Sequence, residues 1–449
     1  MSKNIEAPEL SHKLARAFQQ YENSLNGQKR TALHQRRQEA LQSVQENRFP
    51  STRVEAWKYT NVAKLLQSPF HLVVSQSHNG SLDKATLEGL SIPDLNAHRL
   101  VFLNGHFVPS LSDHASLESG IQFEPLSGLD QLKENAETHC GRYASYKTLS
   151  ESFTALNTAL APDGAVLHVA RNQRIDKPIH LINITDTRQG SMLAQPRHLI
   201  VLEEGAEAKF IEQTRVVGHE GVGLTNAVAE VVLRPNSRAE YYRVQDDPAD
   251  NAYYIGKVQA LQPKDAQFYN LVSTTGNVFT RNDLNIEADG ENGESYLYGI
   301  YALDGKQLAD NHTYMDHAKP HCYSNELYRG VMGDKSTGIF NGRIFVRKHA
   351  QKTDAYQNSA NVLLSDNATI HAKPQLEIYA DDVTCSHGAT SGNLDDSSLF
   401  YMQARGIPKE QARRMLTFAF AAEVLEHCRY APLREYLQKE LARKLHYKL

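Results

Sequence analysis

Three textures of apolar and polar positions follow one another along the chain. Residues 8–47 set Leu14, Phe18, Tyr21 and Leu25 near a 3.6-residue spacing among Ala, Gln, Glu, Lys and Arg. That spacing predicts helix, ended by Pro50. Leu100–Pro109 alternates around an Asn-Gly pair, a hairpin signal, and residues 128–160 turn helical again before Pro162. From about Gly164 to Val383 the period changes. Short Val/Ile/Leu/Tyr/Phe runs alternate with Gly, Asn, Asp and Pro turns, and no helical period lasts. A weak unit recurs there: a polar turn, a small residue, then an apolar or aromatic residue two positions on. Its small residues are Ala208, Ala239, Ala266, Ser295 and Gly338, at steps of 31, 27, 29 and 43 residues. Two or three strands per coil of a β-solenoid fit such spacing, each coil burying its inward face on its neighbours. A β-sandwich fits the turns as well.

The third texture runs from about Asp395 to Leu449. Asp395-Asp396-Ser397-Ser398 supplies caps for one helix, and Gly406-Ile-Pro408 breaks it. The helix that follows carries Ala412, Met415, Leu416, Ala419, Phe420, Ala422 and Val424 over most of its circumference. Such a helix is buried in its own domain or docks a partner. The division expected is 1–160, helical with a small hairpin; 161–390, the β core; and 391–449, a helical tail. Trp57, the single tryptophan, reads as a packing anchor between helix and sheet.

Composition excludes more than it assigns. Apolar residues make up 41% and charged residues 22% of 449, as in ordinary globular proteins. A net charge of -4 gives no case for nucleic acid. The N-terminus lacks the apolar stretch of a signal peptide, and no run approaches a membrane span, so a cytoplasmic location is expected. Four scattered cysteines, Cys140, Cys322, Cys385 and Cys428, fit a reducing compartment and form no Cys-x-x-Cys pair. Gly333-Asp-Lys-Ser-Thr337 lacks the glycine before the lysine that a phosphate-binding loop requires, and neither Gly-x-Ser-x-Gly nor His-Glu-x-x-His occurs.

Two stretches hold candidate chemistry. In Lys373–Gly388 an alternating strand leads to Cys385 and His387, two residues apart and so on one face if the chain stays extended. A thiol beside an imidazole is a soft half-site for a metal, but two donors fall short of the four that zinc or an iron–sulfur cluster takes. The plainer reading is a buried Cys and a His capping a turn. The second stretch is His312, His317, His321 and Cys322, whose spacings match no short metal motif. The acid pairs Asp381-Asp382 and Asp395-Asp396 are adjacent, and neighbours on a strand point opposite ways, so neither is a natural catalytic dyad.

Longer motifs carry a resemblance. Phe340-Asn-Gly-Arg-Ile-Phe-Val346, Ala350-Gln-Lys-Thr-Asp-Ala355, Asn361-Val-Leu-Leu-Ser365, Lys373 through Thr390, Phe400 through Ile407 and Ala419-Phe-Ala-Ala-Glu423 resemble the SufB/SufD family of iron–sulfur cluster assembly proteins. The match is dense over 310–425, and Arg53–Thr60 adds the N-terminal signature of the SufD branch. The missing Cys-x-x-Cys points to that branch as well. The resemblance implies a mainly β fold, a right-handed parallel β-helix flanked by helical ends, and a non-enzymatic scaffold. It implies SufB as heterodimer partner and SufC as a docked ATPase; whether the chain forms a homodimer when SufB is absent is left open. His387, with Cys385, would face a transient iron–sulfur cluster or iron shared with SufB, and the isolated chain would hold none. The tail would dock SufC, with Arg405, Arg413, Arg414, Met415, Phe418 and Phe420 as candidates. The rival is a β-helix enzyme acting on polysaccharide, an analogy of fold alone.

Overall fold

The computed structural model describes residues 4–5, 8–24, 31–73 and 81–448. From Gly223 to Gly392 the chain passes back and forth between two sheets, pairing each strand in parallel with the one two strands earlier. The result is a parallel β-solenoid of about 8 turns with two strands per coil. This is the β-helix that the resemblance implied, and the sandwich is excluded because the ladders are parallel throughout this span.

Register explains the irregular sequence period. Ala208, Ala239, Phe268, Ser295, Ser324, Ala355 and Cys385 stack one on the next in a single sheet. The steps are 31, 29, 27, 29, 31 and 30 residues. Ala266 lies two residues before the true member of the column, and Gly338 belongs to the other sheet, opposite Ala309. The long step of 43 thus came from joining two sheets. Coil length is held by corners at Asn236, Asp265, Asn292, His321 and Lys352, all with positive φ. Each corner N–H donates to a carbonyl of the following coil, as from Asn292 to Pro320 and from His321 to Gln351. Asn and Asp suit the left-handed conformation. His321 and Lys352 take the same corner without that advantage, so His321 is read as a turn residue.

Helices cover the outer faces of the early and middle coils. The helices Pro8–Ser24, Ala32–Asn47 and Ser152–Leu160 pack around Leu193, Leu224, Ile255 and Phe279 on one sheet. Leu25, part of the predicted apolar stripe, lies outside the described residues. The expected hairpin pairs His98–Leu103 with His106–Phe107, turning at Asn104 and Gly105, both with positive φ. It is not a separate unit, because His98–Leu103 also runs parallel to Ile179–Asp186 and extends the sheet. The tail packs on the opposite sheet. Val424, Leu425, Cys428, Leu433 and Leu437 lie against Tyr242, Tyr269, Leu271, Tyr298 and Ile300, and the Tyr269 hydroxyl donates to the His427 carbonyl.

Trp57 anchors the N-terminal region, as its solitary place suggested. It is 1% exposed, its indole N–H donates to the Ser150 carbonyl at 3.0 Å, and the Arg281 guanidinium lies 3.9 Å from its ring centre. Arg281 in turn bonds Asp310 at 2.5 Å, and that carboxylate also accepts from Thr60. The Trp57→Ala chain is expected to lose about 3–5 kcal/mol, the usual cost of emptying a large aromatic site. A urea unfolding midpoint unchanged from the parent protein would contradict this.

Candidate functional site

The solenoid is covered at its start and bare at its finish. Thr369–Ile378 and Thr384–Gly392 are the terminal strands of the two sheets, each paired on one edge within its sheet. Neither lies under a helix over its whole length, and most of their residues are exposed or half-buried. Cys385 and His387 sit on the very last strand, in register with Ala355 and Gln357. Both face the solenoid axis, as the two-residue spacing required. Extension of the chain through this stretch, rather than a turn, is what brings them to one side.

Their environments differ. Cys385 is half-buried and packs on the end of the core beside Leu376 and Val383. Burial pushes its thiol up, and the Asp354 carboxylate adds to this against a hydrogen bond from the Ala355 backbone. At neutral pH it is therefore a thiol, and a metal would have to displace its proton. His387 is exposed. The imidazole is thus open to an incoming metal, whereas the thiol becomes a donor only on losing its proton. A strand end offering two donors needs a second surface to complete a four-ligand set.

Below His387 runs a polar column that sequence reasoning missed. Glu326, Gln357 and His387 occupy successive coils in register, stacked on the apolar Leu297. Glu326 and Gln357 are each 2% exposed. The Thr313 hydroxyl donates to one Glu326 oxygen at 2.5 Å and the Gln357 amide N–H to the other at 2.7 Å. Burial pushes the Glu326 carboxyl up to about 7, and those two bonds offset only part of the effect. The available signal was a charged residue two positions after Ser324, at an inward place of an alternating strand. It becomes legible only once the register is known.

The second candidate stretch does not converge. His312 projects outward, 2.8 Å from Asp310. His317 faces inward and is fully buried against the Ser324 hydroxyl at 2.9 Å. Desolvation lowers its ring to about 3. His321 forms a corner, and the Cys322 thiol is buried against the Gly290 carbonyl at 3.2 Å. Among the described residues no three His, Cys, Asp or Glu side chains gather as a metal site. The alternation of the strand Leu308–His317 is what sends these groups to different sides.

The tail candidates also separate. On the helix Lys409–Ala422, Arg413 donates to the Leu364 carbonyl at 2.7 Å, and Arg414 to the His446 carbonyl at 3.2 Å. Phe418 stacks on Tyr447 at 4.7 Å, Phe420 lies 5.7 Å from the Arg329 guanidinium, and Met415 is half-buried. Most of the apolar circumference read from sequence is thus spent on the solenoid and the last helix. The bare aromatic surface is on the preceding helix, Asp396–Ala404, which has no buried residue. Phe400 is 73% and Tyr401 60% exposed, and Arg405 lies over the Tyr401 ring at 5.1 Å. No helix among the described residues is long and apolar enough to cross a membrane.

Comparison with known proteins agrees with this architecture. Residues 180–420 match the family model described as the SUF system FeS cluster assembly SufBD core domain, and residues 9–181 match the SufBD N-terminal region. The chain is 31% identical to the iron–sulfur cluster assembly protein SufD of Escherichia coli over 411 residues, which is 91% of this chain and 92% of that one. It is 30% identical to a SufBD family protein of Synechocystis over 423 residues, 92% of each chain. To SufD of Bacillus subtilis it is 26% identical over 421 residues, 91% and 93% of the two chains. The chain therefore belongs to the SufBD family of iron–sulfur cluster assembly proteins and is SufD-like.

Proposed function

We propose that this chain is the SufD-type scaffold subunit of an assembly with SufB and the SufC ATPase, and that it catalyses no reaction alone. One observation carries the reading: a solenoid covered along most of its length ends in an open coil, and that coil bears Cys385 and His387. Unpaired strand edges accept a further strand. SufB is the partner proposed for that end, bringing the remaining ligands for a transient cluster or iron. A polysaccharide-cleaving β-helix would need an open flank for its substrate, whereas here the flanks of the middle coils carry helices.

Purified chain mixed with SufB and SufC is expected to elute as one complex in size-exclusion chromatography. Separate elution of all three would overturn the reading.

SufC docking is proposed on the helix Asp396–Ala404 rather than on the helix after it, because its rings are the ones left bare. The double variant Phe400→Ala, Tyr401→Ala should keep its melting temperature, since neither ring is buried. It should lose SufC in a pull-down by tenfold or more, as removal of exposed aromatic anchors costs about 2 kcal/mol or more each. Undiminished capture of SufC would move the docking site elsewhere.

A further inference from the structure

We infer that Gln357, braced by Glu326, is a positioning residue that fixes the His387 imidazole by accepting a ring N–H on its side-chain oxygen. The inference rests on the reading of His387 as a donor to the metal cargo and adds what sets the direction of that donor.

The bracing comes first. Both Glu326 oxygens already accept, one from the Thr313 hydroxyl at 2.5 Å and one from the Gln357 amide nitrogen at 2.7 Å. The second bond orients the Gln357 amide. Its nitrogen is turned to the coil behind, so its oxygen is left on the other side. Gly342, across the interior, makes room for this amide: a Cβ there would stand 2.4 Å from the Gln357 nitrogen.

The oxygen is the second observation. Gln357 Oε1 is shut off from solvent and has no hydrogen-bond partner among the described residues. Buried amide oxygens are nearly always paired. The next residue of the column is His387, directly in register on the following coil and on the same face. A neutral imidazole has one N–H and one lone-pair nitrogen. In this structure the exposed ring makes no bond to that oxygen; rotated so that its N–H meets Gln357 Oε1, it would direct its lone pair away from the interior, toward the open end. Metal-ligating histidines are commonly held by such a second bond, which fixes both the tautomer and the ring orientation.

The test reads the tautomer directly. The full chain, labelled with nitrogen-15 in its histidine rings, is examined by long-range proton–nitrogen correlation at about pH 8.5, some two units above the ordinary histidine pKa of about 6.5. His387 is assigned by the signal lost in His387→Ala. The parent chain should show one tautomer at His387. Gln357→Met, similar in length but without an acceptor, should show averaged shifts from a mixture. Gln357→Glu keeps an acceptor oxygen and can share one proton with Glu326, so it should restore the single tautomer. A role of Gln357 confined to packing would leave the His387 signal unchanged in Gln357→Met, and that result overturns the inference. Signals from the buried rings of His180, His198 and His317 report whether each variant is folded. If Gln357→Met does not fold, the parent chain decides alone, because a tautomer mixture at His387 there overturns the inference equally. None of these outcomes touches the proposed function, which is tested by co-elution with SufB and SufC, nor the role of His387, which is tested by whether His387→Ala supports cluster assembly.

Discussion

Replacing His387 with alanine is expected to abolish complementation of a suf-deficient strain while leaving the protein folded. The ring is exposed on the last strand of the solenoid, beyond the covered coils. Exposed substitutions of this kind usually change stability by less than about 0.5 kcal/mol. The thermal melt should therefore match the parent protein. The functional loss should nonetheless be complete, because the proposed half-site has two donors and this is the exposed one. Cys385→Ser should be milder in the resting protein, since the thiol is protonated there and packs as a small apolar group. Normal growth on the His387→Ala chain would remove the residue from the mechanism.

Glu230→Ala should be the most damaging single change to the fold. The carboxylate is fully buried, and so is its partner Arg197, 2.7 Å away. Glu230 also accepts from the backbone N–H groups of Gly141, Tyr143 and Ala144 at 2.6, 2.8 and 3.0 Å. Through these bonds it joins the 141–144 loop to the solenoid strand Gly223–Leu233. Alanine would strand a buried guanidinium, two buried backbone donors and the part-buried one of Tyr143. Breaking a buried pair costs about 3–5 kcal/mol, and the orphaned N–H groups add to it. Against an ordinary total of about 5–15 kcal/mol, the denaturant midpoint should fall steeply or the chain should fail to accumulate. A midpoint within error of the parent protein would show that the loop is held by other means. The same site gives a pH signature. Burial pushes the carboxyl up, but Arg197 and the three backbone donors outweigh it, and the net shift is downward. Its contribution is then fully present above the unfolded value of about 4.3 and is lost as pH falls through the lower folded value. Glu230→Gln should lack that acid-side component.

Much of this was legible in the residues because local rules governed it. The Asn-Gly turn, the Trp57 anchor and the same-face placement of Cys385 and His387 need only backbone geometry and period. The coil length was half legible. Ala208, Ala239 and Ser295 are true members of one column, but Phe268 stands where a small residue was expected and Ser324 was not seen as a member. Inward positions in a solenoid need only fill the layer between their neighbours, so large and small residues trade places from coil to coil. The tail left its two readings, burial or docking, open for another reason. Helical period reports how many faces are apolar, not which neighbour covers them, and the sheet that covers Phe418 and Phe420 lies far away in sequence. Glu326 and Gln357 were invisible because their meaning depends on stacking between strands about thirty residues apart.

The bare final coil would carry a cost outside the complex proposed with SufB. Each terminal strand offers a free edge, and such edges adhere to whatever strand they meet. Chain synthesised in excess of its partner would carry this sticky end into solution, where self-pairing competes with correct assembly in proportion to concentration. If the proposed pairing with SufB holds, matched production of the two subunits would be part of what keeps this fold usable.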